Sequence, residues 1–234
     1  MKRQEEQNDF VIEYKKGDVN GDNIADTIYL LGKKTIPETL LIEDIIIIII
    51  DGKDNKVYEI IPNYNSGYNP NIFLGDFNND GVSDIMIGIF SGNTDLKSYY
   101  YIYSFVDNQK DILFDFEKFN LLKPYNIIFE DNYKVRIIND KQYVISLEDK
   151  SSEYKQYLYN DDGQLKKIVK GEISPLIRLF PIMSANNNYY ELQALQRIIG
   201  YYSSDMLGEL YTRLRYRDNQ FIRYDDNIVL YNQA

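Results

Sequence analysis

The chain contains no cysteine, no histidine and no tryptophan. Without histidine there is no Ser-His-Asp triad and no imidazole general base, and without cysteine there is no thiol nucleophile and no ordinary zinc site. Disulfides are excluded as well, so cysteine usage carries no information about redox compartment. No apolar run reaches the roughly 18 residues needed to span a bilayer. Positive charge is also scarce: 26 Lys and Arg stand against 36 Asp and Glu, for a net charge of −10. Generic binding to nucleic acid or to an anionic membrane needs a field of the opposite sign. The balance favours cations.

A hydrophobic fraction of 44% and 15% aromatics, in 234 residues, exclude disorder and supply a sizeable core. The length suits a single all-β domain. Residues 1–9 form a polar tail with no apolar segment of the kind a signal peptide carries, and residues 10–234 read as one domain.

Two stretches carry the chemistry. In Gly75-Asp76-Phe77-Asn78-Asn79-Asp80-Gly81-Val82-Ser83-Asp84, the residues Asp76, Asn78, Asp80 and Asp84 place oxygen-bearing side chains at loop positions 1, 3, 5 and 9. That spacing lets a tight loop converge hard ligands on a cation such as Ca²⁺. Gly81 at position 6 is free to adopt positive φ, and the carbonyl of Val82 is placed as a backbone ligand. Asp18, Asn20, Asp22 and Asp26 repeat the spacing 58 residues earlier, with Ile24 at the backbone position and Asn23, which tolerates positive φ, in the glycine's place. Position 12 is Tyr29 or Ile87 rather than the bidentate Glu of an EF-hand, and each lies in a run that reads as a strand.

These loops and their flanking strands resemble the FG-GAP and VCBS repeats of secreted and cell-surface proteins, known from the β-propeller head of integrin α-chains. Phe73-Leu74-Gly75-Asp76-Phe77 resembles the strand-Gly-Asp-Phe entry of such repeats, and Tyr14-Lys15-Lys16-Gly17-Asp18-Val19 is a looser version. The resemblance implies two Ca²⁺ sites, an extracellular or cell-surface setting with any signal or anchor segment removed, and blades of about four strands. The expected fold is therefore all-β, a propeller-like array of about four β-meander blades with calcium loops in two of them.

The expected units are 10–62, 63–123, a loop-less unit at 124–172 and a degenerate one at 173–234. Six consecutive isoleucines, Ile45 to Ile50, read as a central strand buried on both faces and turned back at Asp51-Gly52. A third loop frame near the C-terminus offers Met183, Ala185, Asn187 and Glu191 at the ligand positions, and one carboxylate is too few for a hard cation.

Arg213, Arg215 and Arg217 share one face of a strand at period 2. They form either an anion-binding stripe or a solvated face paired with Asp225 and Asp226. Tyr101 and Tyr103 are candidate stacking platforms for a sugar if they point outward, and core residues if they do not. The functional expectation is a monomeric, non-catalytic binding or adhesion module for a protein or carbohydrate ligand at the cell surface. No nucleic-acid partner and, in this chain, no membrane span are expected. The alternatives are a polysaccharide-processing enzyme built on Asp and Glu, which needs two carboxyl groups about 5 to 9 Å apart, and a structural spacer of a larger surface protein.

Overall fold

The computed structural model describes residues 9–231, apart from positions 37, 95, 96, 123, 124, 140 and 185–187. Every paired strand is antiparallel, and the strands fall into three sheets. The first is a meander of β1 (Phe10–Gly17), β2 (Asp26–Lys33), β3 (Glu43–Ile50) and β4 (Val57–Ile60). The second repeats it with β5 (Tyr68–Gly75), β6 (Asp84–Phe90), β7 (Ser98–Ser104) and β8 (Asp111–Asp115). The two nine-residue loops join the first two strands of each meander, and the pairings at their mouths correspond: Gly17 lies opposite Asp26, and Gly75 opposite Asp84.

The isoleucine run forms β3, paired on both sides as a central strand. Side chains alternate across a strand. Ile45, Ile47 and Ile49 are accordingly fully buried, while Ile46, Ile48 and Ile50 are half-buried. The expectation of burial on both faces thus holds for one face only.

Beyond β8 the expected third and fourth blades do not form. After the short helix α1 (Phe116–Leu121), residues β9 (Asn126–Glu130), β10 (Lys134–Ile138), β11 (Gln142–Ser146), β12 (Lys170–Ile173), β13 (Arg178–Met183), β14 (Tyr190–Ile199), β15 (Met206–Arg217) and β16 (Gln220–Leu230) join one sheet. Its order is β11-β10-β9-β12-β14-β15-β16, with β13 also on β14, and it curls into a nearly closed, barrel-like shape. The short strand β12 splices the two halves, since Lys170 and Gly171 pair with β9 and Glu172 and Ile173 with β14. A four-blade propeller is therefore not what the chain builds. Within the stretch expected to be all strands lies a second helix, α2 (Ser152–Leu158), whose first turn is capped by the Ser151 hydroxyl accepting from the Tyr154 N–H at 3.2 Å. Among the described residues, no helix is long and apolar enough to cross a membrane.

Two core clusters follow from this layout. One joins both meanders to the start of the third sheet through Leu176, Leu179, Leu192, Ala194 and Leu214, and the other fills the curled sheet around Ile127, Phe129, Val135, Ile198 and Leu210. The helix α2 is tied to the second cluster by a buried carboxylate. Asp205, in the β14–β15 turn, accepts from the Tyr154 hydroxyl at 2.6 Å, the Lys150 ammonium at 3.0 Å and the Tyr201 N–H at 2.8 Å. Burial and the Asp205 carboxylate both push the Tyr154 phenol far above its ordinary range. Replacing Asp205 leaves Lys150 and Tyr154 without their partner. We expect Asp205→Ala to cost about 3–5 kcal/mol and Tyr154→Phe about 1 kcal/mol, measured by urea unfolding. Equal small costs for both would show that the cluster is not an anchor.

Candidate metal centre

The conformation of each loop is set by its own side chains. Asp18 accepts from the Gly21 and Asn23 N–H groups at 2.7 and 2.8 Å, and Asp76 accepts from those of Asn79 and Gly81 at 2.6 and 2.9 Å. The Asn20 and Asn78 carbonyl oxygens each accept from the N–H two residues on, both at 3.1 Å. Asp22 and Asp80 do the same for Ile24 and Val82, at 2.9 and 2.8 Å. Asp26 and Asp84 reach back from the start of β2 and β6 to the Val19 and Phe77 N–H groups, at 3.0 and 2.8 Å. These are short Asx-type turns that supply backbone partners where no sheet can.

Positions 4 and 6 are left-handed in both loops: Gly21 (φ 86°) and Asn23 (φ 66°) in the first, Asn79 (φ 64°) and Gly81 (φ 86°) in the second. The sequence pattern signals position 6. Position 4 is an additional constraint, met by Gly in one loop and Asn in the other.

The loops differ in how their last carboxylate is satisfied. In the first, the second oxygen of Asp26 accepts from the Gly52 N–H at 2.9 Å. Asn20 is buried and donates to Asp51 at 3.2 Å and to Asn108 at 3.3 Å, while Asp22 lies 3.8 Å from the Lys53 ammonium. The protein itself meets this loop's polar demands. In the second, Asp84 is 0% exposed and its Oδ1 has no hydrogen-bond partner. No Lys or Arg among the described residues pairs with Asp76, Asp80 or Asp84. Burial pushes the Asp84 carboxyl up to about 7; the charges of Asp80 and Asp76 add to this, while the Phe77 N–H and, more weakly, the Ser104 hydroxyl work against it.

Among the described residues, no group of three or more acidic, His or Cys side chains is gathered closely enough to hold a metal ion. The loop carboxylates are turned instead toward their own backbone N–H groups. The donor chemistry nevertheless fits a hard cation, because every side-chain donor is an oxygen. The orphaned Asp84 oxygen is the one feature that hydrogen bonding within the loop leaves unexplained.

Both loops lie where the three sheets meet. The Ser83 N–H donates to the Asp18 carbonyl at 3.2 Å, the Asp107 N–H to the Asn20 carbonyl at 3.0 Å, and the Tyr190 N–H to the Asp76 carbonyl at 2.7 Å. The Tyr190 ring covers Gly75 so closely that a Cβ there would come within 2.6 Å of it. Tyr190 also packs against Phe73 and Phe77, with ring centroids 5.0 and 5.8 Å away. In the third loop frame, Met183 ends β13 and Glu191 lies in β14, while Ala185 and Asn187 fall outside the described residues.

The other candidates fare differently. Tyr101 and Tyr103 are 1% and 2% exposed and stack on each other at 5.9 Å in the first core cluster, so they offer no platform to a ligand. Ile102, on the opposite face of β7, is 0% exposed as well, so the strand is enclosed on both sides at this point. Arg213, Arg215 and Arg217 do not form a uniform free stripe. Arg213 is exposed opposite Asp225, Arg215 lies over the Tyr224 ring at 5.0 Å, and Arg217 is 3.7 Å from Asp218. Asp226, expected to face this row, is paired with Arg223 on its own strand. Sequence reasoning missed a polar seam formed by Tyr125, Lys141, Tyr143, Arg223 and Asp226. Its members are up to 101 positions apart, and no local pattern connects them.

Comparisons with known proteins correct the family expected from the loops. Residues 123–229 match the family described as YybI C-terminal domain. The chain is 30% identical over 224 residues, or 94% of its own length and 85% of the relative's, to the uncharacterized protein YybI of Bacillus subtilis (strain 168). No solved structure matches it. These matches overturn membership of the FG-GAP and VCBS repeats; what the loops share with those repeats is a nine-residue pattern of turn-forming Asp, Asn and Gly. By its match to the YybI relative along nearly its whole length, the chain belongs to the YybI family.

Proposed function

We propose that this protein is a calcium-binding, non-catalytic β-domain that works as a binding module outside the cell, where free calcium is high enough to fill a weak site. The observation that carries the reading is the buried Asp84 with its unpartnered oxygen, beside Asp76 and Asp80. The second loop is the cation site in this reading, with Asp76, Asn78, Asp80, Asp84 and the Val82 carbonyl as its ligands. The first loop, with Asp18, Asn20, Asp22, Ile24 and Asp26, is its metal-free counterpart: Gly52 and Lys53 supply the partners that a cation would.

A cation in the second loop acts as a lock on the junction of the sheets. It neutralises three mutually repelling carboxylates and stiffens the turn whose Asp76 carbonyl holds Tyr190 and whose Ser83 N–H holds the first loop. Binding to the folded state alone adds to stability by mass action, about 2.7 kcal/mol at a calcium concentration 100 times the Kd. No catalytic step is assigned to the loop carboxylates, which are engaged in shaping the turn.

Two tests follow. In excess calcium the thermal midpoint should rise by several degrees relative to chelator, with a smaller rise in magnesium. Asp84→Asn should abolish that rise and, in chelator at pH 7, be at least as stable as the parent. The amide can keep the Phe77 hydrogen bond while removing a buried charge that costs up to roughly 4 kcal/mol. Calcium stabilisation that survives in Asp84→Asn would overturn the assignment.

The pH dependence has a definite sign. A carboxyl raised from 3.8 to about 7 in the folded protein binds its proton more tightly there than in the unfolded chain. Its contribution is therefore most favourable below about pH 4 and is lost as pH rises to about 7. In chelator, the difference in unfolding free energy between Asp84→Asn and the parent should widen over that window and then level off. A difference that is flat with pH would contradict it. The facing groups are Asp76, Asp80 and, through its influence from β15, Tyr216.

A further inference from the structure

The curled third sheet does not close completely, and the gap between its two ends is built of polar and aromatic side chains. On one side stand Asn139, Lys141 and Tyr143, at the β10–β11 turn and the start of β11. On the other stand Arg223, Tyr224, Asp225 and Asp226 of β16, with Tyr125 between them. The cavity measures about 410 Å³, within the range of small-molecule sites.

Four successive residues of one strand line it because the β15–β16 pairing shifts by one residue here: Arg213 lies opposite Asp225 and Leu214 opposite Arg223, leaving Tyr224 as the extra residue. A bulge of this kind re-aims side chains that would otherwise alternate between faces.

At the centre is Asp226, whose side chain is 9% exposed. One of its oxygens accepts from the Tyr125 hydroxyl at 2.9 Å and is paired with the Arg223 guanidinium, which itself lies 5.3 Å over the Tyr125 ring. The other oxygen, Oδ1, is buried without a partner. Directly opposite on β15, the Thr212 hydroxyl is also buried without one. Unsatisfied buried polar atoms are costly and call for a partner that the protein does not supply.

We propose that this seam is a binding site for a neutral, hydroxyl-rich ligand the size of a mono- or disaccharide. Each hydroxyl of such a ligand both donates and accepts. It can therefore donate to the Asp225 or Asp226 carboxylate, both of which line the cavity, while accepting from Arg223 or Lys141. The charged side chains around the cavity balance, with Lys141 and Arg223 against Asp225 and Asp226, so neither an anion nor a cation gains a net attraction. Tyr143 and Tyr224 supply flat apolar walls for the C–H faces of a sugar ring. The site lies in the C-terminal sheet, away from the loops, and does not depend on calcium.

The test is saturation-transfer NMR on the full chain at tens of millimolar glucose, galactose, N-acetylglucosamine, maltose and cellobiose, with glucuronate and glycine as charged comparators. Each is measured with calcium and with chelator. We expect at least one neutral sugar to bind, equally with and without calcium, and its affinity to fall at least tenfold in Asp226→Asn and in Tyr143→Ala. Arg217→Ala, outside the seam, should leave it unchanged. If Asp226→Asn does not fold, Tyr143→Ala and Lys141→Ala at the rim carry the test alone. Binding of none of the neutral sugars, tighter binding of glucuronate or glycine, or binding indifferent to the rim variants would each overturn the proposal. A failure of calcium binding would leave this outcome unmoved, so the two readings can fail separately.

Discussion

A carboxylate that closes a turn from inside a protein must find partners for both of its oxygens, and the two halves of this molecule answer that demand differently. Asp26 and Asp84 occupy equivalent places at the start of the second strand of each meander, and both hold the turn by accepting from the N–H seven residues back. The first is completed by the Gly52 N–H, from the turn after β3. The second lies against β7, whose Ser104 hydroxyl is the nearby donor, and its Oδ1 is left without a well-formed hydrogen bond. A buried group of this kind is either protonated or paired with a cation. That choice links the local chemistry of the loop to the larger structure, because the loop carries hydrogen bonds to both neighbouring sheets.

The junction explains why the pattern occurs twice. Two meanders with matching loops can be stacked so that one loop donates to the other, as Ser83 does to Asp18, while the third sheet adds the Tyr190 contact. The core beneath is continuous across this contact, from Ile28 and Ile47 through Ile85 and Ile102 to Leu192 and Leu214. The curled sheet carries its own core, its own buried acidic anchor at Asp205 and its own polar seam at Asp226. The matched C-terminal family segment corresponds closely to this sheet.

What was legible in the sequence was local. The isoleucine run as a central strand, the meander strands around it and the loop conformation at Asn23 and Gly81 all depend on residues within a few positions of one another, whereas the alternating burial of that run was not read. The fate of 124–234 was not legible, because joining two expected blades into one sheet rests on β12, a strand of four residues that pairs with partners at least 25 positions away on one side and more than 40 on the other. Helix α2 was hidden by its seven-residue length. For Tyr101 and Tyr103, period 2 places both on the same face of β7 but does not say whether that face is covered; packing in the structure covers both faces of the strand here, Ile102 included. Family membership was misread for a related reason: a nine-residue turn pattern specifies its own hydrogen bonds and very little about the chain around it.

The central claim is that one loop, not two, holds a cation. Calcium bound per chain, counted by isothermal titration calorimetry on the parent and on Asp26→Asn and Asp84→Asn, measures it directly. The account predicts one ion in the parent, one in Asp26→Asn if that variant folds, and none in Asp84→Asn. Two ions in the parent, or one that persists in Asp84→Asn, would contradict it.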